Sequence, residues 1–441
     1  MSMNDTALAE KASETIAGFT EEAFSALTQP GNPLLRGKRE EAFAEYLRLP
    51  APHAFDEEWR KTDPALFRFD TWSALPSAAA GSVQPTDWDS AFDVVVQVDG
   101  ASVSIEDRTG ILSAGRAYVA SLFDAAEEHP DWVQQYLQGA ALPASTDKFT
   151  ALNGAFWNVG IFIHIPEGTK LEKGIFLRYR QRETGAVLIP RLVIVAESGS
   201  EATVVEHLES DDEVSMGVVS ARELYVDQAA RLKFLTLQEW GRGTYQIGND
   251  MAVVQRDAQV DWITLNLGSQ ISKLKFGSDV AGPGSSAELD GIFCTDTDQH
   301  IDQTTLQIHS APHTYSRLLY KGAVMDQGHS VYRGIIQAKP GAIKVDAYQT
   351  NNNLVLSNGA IADTIPGLLI DADDLKCSHG ATIGNLDENQ VFYLRARGIP
   401  EHEARKLLIL GFYDEILDRI PYASIRDRVH ELLVEKLDRV L

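Results

Sequence analysis

A recurring spacing of about 28 residues governs the middle of this chain and limits what it can fold into. From about position 149 helical periodicity gives way to short β-branched runs divided by Gly, Asp and Ser turns. A small residue opens an alternating strand at Gly174, Ala202, Ala230, Ala258 and Ala287, then near Tyr315 and at Ala342, each about one period after the last. A weaker match at Ala372 follows at a slightly longer interval. Each period has room for two or three short strands with their turns. That is one coil of a parallel β-helix, in which every rung covers the apolar face of the rung before it. A β-sandwich also has many short strands, but nothing in it demands a constant interval over seven units. The predicted fold class is therefore mainly β, with a parallel β-helix core over residues 146–383. An N-terminal helix-rich region (1–145) and a C-terminal helical domain (384–441) flank it.

On the N-terminal flank, Ile16, Phe19, Ala23 and Leu27 predict a helix over 6–27, stopped by Pro30 and Pro33, and a second helix covers 36–47. Residues 92–105 alternate around Asp99-Gly100, which predicts a β-hairpin. Residues 117–137 read as helix, broken at His129-Pro130. After the coils, Asp387 is placed to cap a helix over 388–397, and Gly398 suits its C-terminal turn. Pro400 opens the next helix, where Ala404, Leu407, Leu408, Gly411, Phe412 and Ile416 form one apolar stripe. Ser424 with Asp427 resembles a capping box for the last helix. Its stripe of Ile425, Val429, Leu432, Leu433, Leu437 and Val440 either packs on the β region or receives another protein.

Charge and motifs narrow the function. The chain has 39 basic and 63 acidic residues, a net charge of −24, which argues against nucleic acid or an anionic membrane as partner. The most apolar windows, such as 188–196, are too short to span a bilayer. The opening residues show no apolar signal core, and the two cysteines, Cys294 and Cys377, are too few for a disulfide framework, so a cytoplasmic location is expected. No phosphate-binding glycine loop, G-x-S-x-G elbow or HExxH helix is present.

The chemistry-bearing residues concentrate in residues 373–412, at the seam between coils and helices. Cys377 and His379 are two apart, so on a strand both project from one face, about 7 Å apart along the backbone. Thiolate and imidazole suit iron, zinc or copper. Two ligands do not close a site, so a neighbouring rung or a second chain must add the rest. A buried structural cysteine beside an exposed histidine is the commoner meaning of such a pair. His300, His309, His313 and His329 fall close together in the sequence but lack zinc-site spacing, so scattered turn histidines account for them better than a metal site. His164 shares a face with Phe162, and Cys294 alternates into an apolar strand; packing explains both. Asp290, Asp296 and Asp298 resemble the carboxylates with which some β-helix enzymes cleave polysaccharides, but acidic turn residues are more often simply solvated.

The run at residues 351–399 resembles the SufB/SufD family of iron–sulfur cluster assembly proteins. It carries in order AIADTIPGLLI, CSHGAT and FYLRARGI. Weaker matches are EEWRKTD at 57–63, FTALNGAF at 149–156 and YKGAV at 320–324. Within the family the chain is most similar to SufD. SufB tends to be longer, with further cysteines and glutamate-rich wording after the Cys, whereas Ser378-His379-Gly380 follows here. The resemblance implies a right-handed β-helix and a non-catalytic scaffold subunit. It would pair with SufB through the β-helix end and hold the SufC ATPase on its C-terminal helices. It implies His379 at the shared interface, with Cys377 the less certain member, and the stripe of Ala404, Leu407, Leu408, Gly411 and Phe412 toward SufC. No cofactor would be held stably by the isolated chain, only iron or a cluster in transit at the interface. The alternatives are a SufB-like subunit carrying the nascent cluster, a β-helix enzyme acting on polysaccharides, and a homodimer without other partners.

Overall fold

The computed structural model describes residues 15–27, 31–72 and 87–441. About eight coils of a parallel β-solenoid form the body, and each coil gives one strand to each of two sheets. A coil thus holds two long strands rather than two or three short ones. One coil, for example, is Ile271–Val280 followed by Ser286–Thr295. In the first sheet Arg231 pairs with Gln259, and Gln259 with Ser286, so each rung lies in register on the last.

The constant interval has a local cause. From Glu201–Ser210 onward, the turn that leads into each first-sheet strand carries a residue with positive φ: Gly199, Ala229, Asp257, Gly284, His313, Lys344 and Asp374. These turns also hydrogen-bond coil to coil, as Ala229 N–H does to Arg256 O and Lys344 N–H to Asp374 O. A stack of left-handed turns tolerates little change of length, so the period is held. The small residues of the repeat lie at or just before first-sheet strands, except Ala342 and Ala372, which sit within the turns before Asp346–Val355 and Lys376–Gly384.

Alternation along the strands divides the apolar residues between lumen and exterior. Leu232, Phe234, Val260, Trp262, Leu289 and Leu318 fill the lumen against the second sheet. Leu235, Ile263, Leu265 and Ile292 face outward and are covered by Ile409, Tyr413, Ile416, Val429 and Leu433 of the last two helices. The final stripe therefore packs on the β region. The outer face of the second sheet, with Val193, Val219 and Ile247, is covered by Phe43, Tyr46, Leu152 and Phe156 of the N-terminal layer. Each fully buried Leu, Ile or Phe contributes roughly 1.5–3 kcal/mol.

The motif FTALNGAF is the fully buried helix Lys148–Phe156. Asn153 donates to Pro190 O and Val219 O at 3.0 and 2.8 Å, joining this helix to the second sheet. Gly154 admits the helix Pro33–Arg48, since a Cβ there would stand 2.8 Å from that of Ala42. In YKGAV, Tyr320 points into the lumen and bonds Thr264, while Lys321 points out and donates to Phe412 O at 2.8 Å.

Several expectations change. Residues 6–14 of the first expected helix lie outside the described residues; beyond them the helix is Glu21–Leu27, with Ile16 and Phe19 buried ahead of it. Residues 36–47 lie within a helix that starts earlier, at Pro33, capped by Asn32. Tyr118–Ser121 is a strand, antiparallel to Val159–Ile165, because it closes the end of the second sheet; helix follows over Leu122–Glu128 and Pro130–Tyr136. The hairpin is formed by Val94–Asp99 and Ser102–Asp107. Asp387 caps Glu388–Ala396 through Asn389 N–H, and Gly398 has φ +91°. Pro400 precedes rather than begins Glu401–Leu417, and Ser424 lies inside Ala423–Val440, which has no side-chain cap. Of the stripe of Ala404, Leu407, Leu408, Gly411, Phe412 and Ile416, only Ala404 and Ile416 belong to the buried face. Ala404, Ile409, Leu410, Tyr413, Ile416 and Leu417 are buried, whereas Leu407 and Gly411 are exposed. Apolar residues surround much of this helix, so spacing alone leaves its phase open; the outer face of the first sheet decides it.

Candidate functional site

Among the described residues the solenoid ends in an uncovered coil. Its two strands, Ile361–Ile370 and Lys376–Gly384, are the terminal strands of the second and first sheets, each paired there on one side only. Pro366 is tolerated because an edge strand can do without one ladder donor. Large apolar residues stand open here, with Leu369 and Ile383 each 52% exposed. An uncovered edge with such residues is a template for another chain.

Lys376–Gly384 carries Cys377 and His379. Their register partners are Ala347 and Gln349, which are buried, so both belong to the lumen side of the strand. Their surroundings differ. Cys377 is half-buried against Ala347 in a small cluster with Ile336, Ala342 and Val345. Burial, with Asp346 nearby, pushes its thiol up from the usual value. That disfavours the thiolate a metal needs. His379 is exposed and free to meet a partner. Among the described residues, no group of three or more His, Cys, Asp or Glu converges as a metal cage. The open end therefore presents one exposed imidazole beside a half-buried thiol.

The other candidates are spent on structure. His309 is buried, with Nδ1 2.7 Å from Thr314 Oγ1 and Nε2 2.8 Å from Ser316 Oγ. His313 is an exposed turn residue. His164 stacks on Trp132 and meets Glu197 at 3.0 Å. Cys294 is buried under the C-terminal helices, its thiol pushed up to about 11 by burial. Asp290 is paired with Arg419 at 2.7 Å, and Asp296 with Lys436 at 3.0 Å. Asp298 is exposed in its turn. The three aspartates form no paired acid–base site.

Sequence reasoning missed a network centred on EEWRKTD. This segment crosses the outer face of the second sheet. Thr62 donates to Asp302 at 2.5 Å and lies 2.8 Å from His300 Nε2. The rings of His300 and His329 are 4.5 Å apart, His329 reaches Asp363 at 2.9 Å, and Asp363 holds Lys61 at 3.0 Å. Glu57 pairs with Arg333 at 3.1 Å. The segment thus straps the last coils together and holds the terminal strand at Asp363. Its concentration of charge in a short motif was the available signal.

Comparison with known proteins gives the family. The family described as the SUF system FeS cluster assembly SufBD core domain matches residues 179–412, and the SufBD protein N-terminal region matches 10–177. This chain belongs to the SufBD family. An iron–sulfur cluster assembly SufBD family protein of Mycobacterium leprae is 34% identical over 303 residues, covering 66% of this chain and 76% of that one. One from Mycobacterium tuberculosis is 30% identical over 301 residues, covering 66% and 75%. One from Staphylococcus saprophyticus is 28% identical over 314 residues, covering 70% and 67%. A SufBD chain is an assembly protein of the scaffold type. Among the described residues no helix is long and apolar enough to cross a membrane.

Proposed function

We propose that this chain is the SufD-like scaffold subunit of a cytoplasmic SUF complex. It joins a SufB-like chain through the terminal coil and a SufC ATPase through the C-terminal helices. Iron or a nascent cluster is the cargo, held between subunits, and the isolated chain keeps no stable cofactor. The observation that carries the reading is the open coil with an exposed His379 on its lumen side, Cys377 two residues away, and no convergence of three or more ligating side chains among the described residues. A thiolate from the partner would complete a shell that is half-built here, and a shell split between chains releases its cargo when the chains part. Support for the ATPase contact is the apolar surface left by Phe392, Tyr393 and Leu407, which are 71%, 57% and 51% exposed.

Two experiments test this. Affinity capture of the tagged chain, co-expressed with the two other subunits, should recover both; recovery of neither contradicts the reading. His379→Ala should cut iron–sulfur cluster assembly in cells at least about tenfold while the far-UV spectrum and melting temperature stay at wild-type values. Normal assembly by that variant removes His379 from the mechanism. Stable cluster binding by this chain alone would favour a SufB-like subunit instead.

A further inference from the structure

The lumen changes character toward the open end. Leu, Phe and Trp fill its middle, but Gln303, Gln307, Gln349, Asn351 and Asn353 are buried in its last coils. Most of these amides are used. Asn351 and Asn353 bond each other and Thr364, and Gln307 donates to Ser316 at 2.8 Å. Gln349 is different. It is fully buried, and neither its Oε1 nor its Nε2 has a hydrogen-bond partner among the described residues. Gln303 shares that condition but sits two strands back from the end, in register with Tyr332.

Gln349 is the register partner of His379, on the same face of the adjoining strand. Adjacent strands lie about 4.8 Å apart, so the side chains of such a pair are neighbours. Space for the amide has been made from the opposite sheet. A Cβ on Gly334 would stand 1.9 Å from Gln349 Nε2 and 2.6 Å from Oε1. Gly334 has no positive φ, so the glycine serves space and not backbone shape. A strand glycine that only clears room for a side chain, and a buried amide that bonds nothing, both weaken the fold. Together they describe a group waiting for a partner, and the rung above offers His379.

We propose that Gln349 is a positioning residue for His379. Once a partner covers the coil end and excludes water, the imidazole N–H facing the lumen donates to Gln349 Oε1. The proton is then fixed on that ring nitrogen, and the lone pair of the other points to the interface where iron arrives. Orientation of a metal-binding imidazole through its second nitrogen is how such ligands are commonly tuned. The inference rests on the interface role of His379.

The test is 15N spectroscopy of histidine-labelled full-length chain in complex with its SufB-like partner, with the His379 signals assigned by their loss in His379→Ala. The wild type should show one dominant ring tautomer. Gln349→Met should give a tautomer mixture, Fe(II) binding to the complex about tenfold weaker, and a melting temperature equal to or above wild type. Gly334→Ala, which pushes the amide from its place, should mix the tautomers too, and Gln349→Glu should restore a single one. An unchanged tautomer in both Gln349→Met and Gly334→Ala overturns the proposal. So does a marked fall in the melting temperature of Gln349→Met, which would mean that the amide is bonded structurally. If His379→Ala leaves cluster assembly intact, the interface role fails whatever the tautomers show. If that variant is defective and the tautomers do not move, only the present inference fails.

Discussion

His309 shows what single residues contribute to this fold. Burial lowers its imidazole to about 4, and burial with the neighbouring His329 lowers His300 to about 4 as well. Both folded values lie below the unfolded value of roughly 6.5. The unfolded chain therefore binds the extra protons first. The stability these groups contribute is present above pH ~6.5, and it is lost as pH falls toward ~4. Between pH 7 and pH 5 each should remove about 2 kcal/mol. Urea titrations at the two pH values should show that loss, and His309→Gln should have a shallower acid slope than wild type. An equal slope would show that His309 is not neutral in the fold. The same scale shows what could be read of the site beforehand. A Cys-x-His pair on one strand is visible in sequence because it needs only the two-residue period. That Cys377 leans into an apolar cluster, and that Gln349 lies beneath His379, depends on register between strands a whole coil apart in the chain. No local pattern carries that.

At the level of elements, the coils were legible because a left-handed turn recurs in each of them and fixes their length. Tyr118–Ser121 was not, because AYVASLF suits a strand or a helix, and only pairing with Val159–Ile165 decides. The buried side of Glu401–Leu417 was not legible for a similar reason: the sheet beneath it, not its own periodicity, selects that side. Burial separates two kinds of apolar residue on the C-terminal helices. Leu433 is fully buried against the first sheet, whereas Phe392 is 71% exposed. Leu433→Ala should cost about 2–5 kcal/mol in chemical denaturation, through lost transfer energy and a residual cavity. Phe392→Ala should change stability by less than about 0.5 kcal/mol and weaken capture of the ATPase subunit. A Phe392→Ala chain that still captures it fully would place that contact elsewhere.

For the whole molecule, the two ends of the solenoid are treated differently. At the N-terminal end the antiparallel strands Ser102–Asp107 and Tyr118–Ser121 lie outermost on the two sheets and close them. At the C-terminal end both sheets stop at parallel strands whose outer edges are unpaired among the described residues, with Ile361, Leu369, Ile370 and Ile383 exposed. Solenoids ordinarily end in a polar capping repeat. An end without one stays soluble by meeting another chain, and a second copy presents the same edge, so a two-fold pairing of like ends is available when the proper partner is absent. The isolated chain should therefore sediment as a concentration-dependent dimer. Leu369→Lys with Ile383→Lys places two cations in each copy of that face, where they meet their own kind across the two-fold axis. The doubly substituted chain should sediment as a monomer with an unchanged far-UV spectrum, and it should lose capture of the SufB-like partner along with self-association. A wild-type chain that stays monomeric at every concentration would show that the open coil is complementary only to its partner. A substituted chain that still dimerises would move the self-contact away from this end.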